Sequence, residues 1–169
     1  MEINLPPLGL GTWGMGGKYE RDESNITTSI AALQYAVRKG ITLFDTAELY
    51  GEGLTETIMG EAFSGVPRSK LFLASKIWKT NLRARDVFHS VRESCKRLRT
   101  DYLDLCFIHW PNPSIPLSET MKALEKLFQE KIVRAIGVSN FDVPLIKAAS
   151  QYLESTNIAV NQLEYNLAV

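Results

Sequence analysis

Three apolar, β-prone runs in this sequence end on groups that can hold or move a proton. Ile41 to Phe44 runs into Asp45, Leu71 to Ala74 into Ser75 and Lys76, and Leu103 to Ile108 into His109, with the phenol of Tyr50 just beyond the first run. An ionised carboxylate at the end of a buried strand costs several kcal/mol or more unless a cation or donors meet it, so Asp45 demands a partner. Lys76 answers that demand. A phenol with a pKa of ~10 is a poor proton donor at neutral pH, and an ammonium beside it favours the phenolate and lowers that pKa. The chemistry these types can perform together is proton transfer at Tyr50, tuned by Lys76, with Asp45 holding the ammonium and His109 donating to a substrate oxygen.

Bringing the four groups together requires their strands to lie parallel and side by side, and the order of elements meets that requirement. Leu8 to Trp13 reads as a first strand, followed by a loop with Gly14, Gly16 and Gly17. A helix over 24–38, stopped by Gly40, carries Ile26, Ile30, Leu33 and Val37 on one stripe. Strands at 41–46, 71–76, 103–109, 135–138 and 158–163 then alternate with helices at 55–63, 85–98, 118–129 and 142–153, and Ser118 is placed to cap the fourth helix. About six strands and five helices in strict alternation imply an α/β fold with a parallel sheet, doubly wound or closed into a barrel. Either architecture puts ligands at the C-terminal ends of the strands, the rim that Asp45, Lys76 and His109 occupy.

Composition narrows the class. The chain has 169 residues, the length of one domain, with 45% hydrophobic and 22% charged residues. Nineteen basic residues balance nineteen acidic ones, which gives no reason to expect nucleic acid as partner. No apolar run approaches a membrane span, and the N-terminal segment lacks the basic start of a signal peptide, so a cytoplasmic protein is expected. Cys95 and Cys106 sit at core positions and read as buried, reduced thiols. No metal site is expected: His89 lies on a helix pattern facing solvent, and no cluster has zinc-type spacing. Gly9, Gly11 and Gly14 spell the G-x-G-x-x-G dinucleotide fingerprint, but no helix signal follows the third glycine, which the Rossmann fold requires.

The segments LGLGTWGMGG at 8–17, FDTAELYGEG at 44–53, SKIW at 75–78, DLCFIHWP at 104–111, GVSNF at 137–141 and NQLEYN at 161–166 resemble those of the aldo-keto reductases, in the same order along the whole chain. The resemblance implies a (β/α)8 barrel of TIM type that reduces aldehydes or ketones with NADP(H), or NAD(H) as the alternative. It implies Asp45, Tyr50, Lys76 and His109 as the catalytic tetrad, with Tyr50 as acid in reduction and base in alcohol oxidation. It also implies Thr12, Trp13, Asp45, Ser139, Asn140 and Gln162 as cofactor contacts. Trp13, Trp78 and Trp110 would wall the pocket for a small carbonyl or alcohol substrate. A complete barrel takes ~250 residues, so 1–169 reads as one domain making up the N-terminal two-thirds of such a barrel. Two function classes follow: an active reductase, and a non-catalytic regulatory or binding subunit. Two unpaired edge strands and an unfilled barrel interior would favour self-association or pairing with a complementing fragment, and would leave the lone chain poorly stable.

Overall fold

The computed structural model describes residues 3–167. Strands β1 (Gly9–Gly11), β2 (Leu43–Asp45), β3 (Phe72–Ile77), β4 (Leu105–Ile108), β5 (Ile136–Ser139) and β6 (Ile158–Gln162) alternate with helices α1 (Ile26–Arg38), α2 (Leu54–Ala62), α3 (Ala84–Arg97), α4 (Leu117–Gln129) and α5 (Val143–Ser150). All neighbouring strands pair in parallel, in sequential order from β1 to β6. The sheet curls as part of a barrel: Gln162 at the end of β6 donates from Nε2 to Asp45 Oδ2 at the end of β2, 3.3 Å across the mouth, although three strands separate them.

The period-two alternation of strands sorts the apolar residues into two layers. Leu73, Ile77, Cys106, Ile108, Ile136 and Val138 face outward, where Leu33, Ile58, Met121 and Leu124 of the helices pack on them. Phe72, Ala74, Leu105, Phe107, Ala135 and Val160 face inward. The inner face is covered at its centre, where an open surface was expected: Leu105 is 2% and Phe107 3% exposed, with Val160 and Ile3 packed on the same cluster, while Phe72 and Val160 themselves stay half-buried. Gly137 on β5 contributes by what it lacks, since a Cβ there would meet the Phe107 ring at 2.6 Å.

Two local expectations are corrected. Helix α4 begins at Leu117 with Pro116 as its N-cap residue, so Ser118 falls inside the first turn and supplies no capping bond. Proline's fixed φ, here −57°, suits it to this entry, whereas Asp142 caps α5 in the usual way through Leu145 N. Strand β1 is shorter than the 8–13 run, and turns follow it until α1. The glycine fingerprint therefore opens no helix.

Candidate active site

The C-terminal ends of β2, β3 and β4 deliver the chemical groups to one rim. On β3, Lys76 faces inward between outward-facing Ser75 and Ile77, and its side chain is 2% exposed. Its Nζ donates to Asp45 Oδ2 at 2.7 Å, to the Thr46 carbonyl at 2.9 Å and to the Tyr50 hydroxyl at 3.4 Å. Those three acceptors use the three protons of the ammonium. Tyr50 comes from the turn Tyr50–Gly53 that follows β2, in which Gly51, Glu52 and Gly53 all have positive φ. Gly51 is required there, because a Cβ would run into the Gly16 carbonyl oxygen. His109 follows β4, with its ring edge-on to Tyr50 at 5.7 Å and to Trp78 at 5.3 Å between centroids. Its Nδ1 is buried without a partner among the described residues, which leaves Nε2 as the nitrogen for a ligand.

Burial sets the protonation states. Lys76 has its pKa lowered by desolvation, against which the Asp45 carboxylate and its hydrogen bond, and then Glu56, push upward. His109 is lowered to about 4, first by burial and then by the Lys76 charge, so it is a neutral imidazole at pH 7. Tyr50 departs from expectation. Its pKa is raised, not lowered, by desolvation first and the Asp45 charge second. The ammonium beside it is compensated at 2.7 Å by Asp45, so no net positive field offsets the burial. The phenol therefore keeps its proton at neutral pH, and a phenolate would form only as that proton is given away.

The other anticipated residues lie on the same rim. Trp13, Trp78 and Trp110, with Tyr19, Leu49, Tyr50 and His109, line a cleft of about 170 Å³. Trp13 and Trp110 are exposed. Thr12 is buried and spends its hydroxyl on the Asp45 carbonyl at 2.9 Å, tying β1 to β2 under the site. Asn140, at φ 62°, donates from Nδ2 to the His109 carbonyl at 3.1 Å and to Ser139 Oγ at 3.0 Å. A larger hollow of about 680 Å³ lies at the opposite ends of the strands, beside Asp104, whose two oxygens are taken up by Arg68, Arg134 and Leu73 N.

Two residues of the site were not anticipated. Glu48 Oε1 accepts from Trp78 N at 2.6 Å and Asn81 Nδ2 at 3.0 Å, fixing the strand end that carries Trp78. Tyr19 packs edge-on against Trp13 at 6.2 Å. Glu48 had a readable signal, an acid in the same short loop as Asp45 and Tyr50. Tyr19 had only its place after the glycines.

The family model described as the Aldo/keto reductase family matches residues 7–168. This chain belongs to the aldo/keto reductase family. It is 39% identical over 166 residues to the methylglyoxal reductase YeaE of Escherichia coli, an alignment that covers 98% of this chain and 56% of that protein. It is 43% identical over 153 residues to the aldo-keto reductase YhdN of Bacillus subtilis, covering 83% and 45%. Among solved structures, it superposes with TM-score 0.93 and 44% identity on Tm1743, a thermostable aldo-keto reductase in complex with the inhibitor epalrestat, over 96% of this chain and 59% of that one. The Klebsiella pneumoniae aldo/keto reductase in complex with NADP and acetate gives 0.87 and 36%, over 98% and 56%. This aldo/keto reductase chain thus spans about half the length of these relatives, and its six strands are the parallel part-barrel of a (β/α)8 fold.

Proposed function

We propose that this chain carries the reaction centre of an NADP(H)-dependent reductase of small aldehydes and ketones. The observation that supports it most is the buried Lys76 ammonium, bonded to Asp45 at 2.7 Å and to the Tyr50 hydroxyl at 3.4 Å beneath a cleft that His109 also faces. His109, neutral and in its Nε2–H tautomer, donates to the carbonyl oxygen and orients it. Tyr50 gives its proton to that oxygen as charge develops, and Lys76 stabilises the phenolate left behind. Asp45 keeps Lys76 charged and aimed. In alcohol oxidation the same proton returns to Tyr50.

The residues at the ends of β5 and β6 fit a carboxamide, which needs partners for one acceptor and two donors. The Ser139 hydroxyl accepts from Asn140 and keeps its own proton to donate, and Gln162 pairs with Ser139 in the parallel register, on the same face. Ser139, Asn140 and Gln162 would hold the nicotinamide end, with Thr12, Trp13 and Asp45 beside it. A nicotinamide cofactor held there supplies the hydride, and NAD(H) is the alternative to NADP(H). The cleft of about 170 Å³ suits a small substrate, and methylglyoxal reductases among the relatives make 2-oxoaldehydes the substrate class of choice.

Residues 1–169 act in this reading as one domain, the N-terminal part of the barrel, and work in the cytoplasm; no helix among the described residues is long and apolar enough to cross a membrane. Edge strands β1 and β6 pair with a complementing segment or a second copy. Tyr50→Phe should slow NADPH-dependent methylglyoxal reduction by ~10² to 10⁴ with cofactor affinity unchanged. Equal turnover in the two proteins would remove Tyr50 as the acid. Absence of turnover in the wild type, alone and with a complementing segment, would favour the regulatory or binding subunit.

A further inference from the structure

We propose that Glu56, held by Arg97 and Ser75 in the layer between sheet and helices, is a positioning residue that ties the turn carrying Tyr50 to the strand carrying Lys76. Glu56 is 0% exposed on the sheet-facing side of α2. Its Oε1 accepts from the Ser75 hydroxyl at 2.6 Å and its Oε2 from Arg97 Nε at 2.7 Å. A buried ion pair of this kind is seldom retained for stability alone, since apolar residues of similar volume do as well or better. Here both partners adjoin segments that carry the chemistry. Ser75 immediately precedes Lys76 and faces outward where Lys76 faces inward. The Arg97 side chain lies against Gly53, where a Cβ would meet its Nε at 2.8 Å and Cδ at 2.9 Å. Gly53 closes the Tyr50 turn, in which Glu52, at φ 54° between two glycines, is the one residue whose left-handed backbone needs its surroundings to hold it. The Glu56 carboxylate therefore bridges, through Arg97, the turn that aims Tyr50 and, through Ser75, the strand that aims Lys76.

The network also acts through charge. The groups that face Lys76 are Asp45 from β2, Tyr50 from the turn, His109 after β4 and, from behind β3, Glu56, which supports the ammonium after Asp45. Neutralising Glu56 removes part of that support.

The test is made on the 169-residue chain by NMR, with ¹³C-labelled lysine and tyrosine and with Lys76 and Tyr50 assigned through Lys76→Met and Tyr50→Phe. In Glu56→Gln the Lys76 ¹³Cε titration midpoint should move to lower pH, and the Tyr50 ¹³Cζ resonance should shift or broaden. Glu61→Gln, on the exposed side of the same helix, should leave both where they are. If Glu56→Gln does not fold, Glu56→Gln/Arg97→Met removes both charges of the pair without stranding a guanidinium; the Lys76 midpoint then changes little, and the test falls on the Tyr50 resonance, which should shift or broaden once the turn loses its tie. A folded variant of either kind with the Lys76 midpoint and Tyr50 resonance of the wild type would overturn the proposal. It rests on the reductase reading only for its kinetic arm. Where the wild type turns over, Glu56→Gln should lower kcat by about ten- to a hundredfold with KM for the carbonyl unchanged, and move the alkaline limb of the pH profile to lower pH. A wild type without turnover would count against the reductase reading while the NMR result still decides the role of Glu56.

Discussion

Asp45→Asn keeps the shape of the side chain and removes the charge that most supports a buried ammonium. In the variant, Lys76, 2% exposed, keeps only the Thr46 carbonyl, the Tyr50 hydroxyl and a neutral amide as partners. Its pKa is already lowered by burial, and the largest opposing influence is gone. The penalty has a ceiling, because the group can fold neutral. Releasing a proton at pH 7 from an amine whose unfolded pKa is ~10.4 costs about 4.6 kcal/mol, and breaking a buried pair typically costs ~3 to 5 kcal/mol. The wild type already bears part of that cost, so we expect Asp45→Asn to lose about 3 to 4 kcal/mol at pH 7. The pH dependence gives the mechanism away. With the folded pKa below the unfolded one, the unfolded chain binds more protons, so stability rises with pH, by up to ~1.4 kcal/mol per unit towards pH 10. Urea unfolding followed by tryptophan fluorescence at pH 7, 8 and 9 measures both quantities. A loss under ~1 kcal/mol that does not change with pH would refute the claim that Asp45 is what keeps Lys76 charged.

Two further expectations concern the neighbouring groups. Because the pKa of His109 is lowered to about 4, the folded protein resists a proton that the unfolded chain accepts below pH ~6.5, so stability should fall as pH drops from there towards 4; His109→Gln should flatten that part of the stability profile, and an unchanged acid slope would contradict the buried neutral imidazole. Gly51→Ala places a Cβ against the Gly16 carbonyl oxygen at a positive φ, and should cost ~1 to 3 kcal/mol together with most of the turnover; chemical denaturation and steady-state rates on the same sample check it, and a fully stable, fully active variant would show that the Tyr50 turn is not clamped as described.

The parts of the molecule legible in the sequence are those in which a residue contradicts its surroundings. Asp45, Lys76 and His109 stand out because each ends an apolar run, and the parallel register of β2, β3 and β4 then brings them together. The strand at 41–46 was readable as a strand, although its ladder is only Leu43–Asp45: Thr42 and Thr46 join β3 through single bonds, and Ile41 N is taken by the Ala36 carbonyl at the end of α1. Glu56 was not legible, because an acid on a helix reads as solvent-facing and its burial depends on Arg97 reaching over from α3. The raised pKa of Tyr50 was not legible either: the sign depends on whether Lys76 is compensated, and only the 2.7 Å contact with Asp45 settles that. Nor does any local pattern announce that Gln162 reaches Asp45, since that contact reports the curvature accumulated over the intervening strands.

Sequential strand order also has a meaning in time. Each strand pairs with the one made just before it, so loop closure along the sheet is never longer than one βα unit. During synthesis, which favours N-terminal folding first, the Asp45–Lys76 pair can dock once β3 has left the ribosome, and His109 joins with the next strand. In that order the ammonium would meet its counter-ion before the rest of the sheet exists, rather than be buried alone while waiting for a distant segment. The bond from Gln162 to Asp45 would follow these, a latch added to a centre whose charges are already paired.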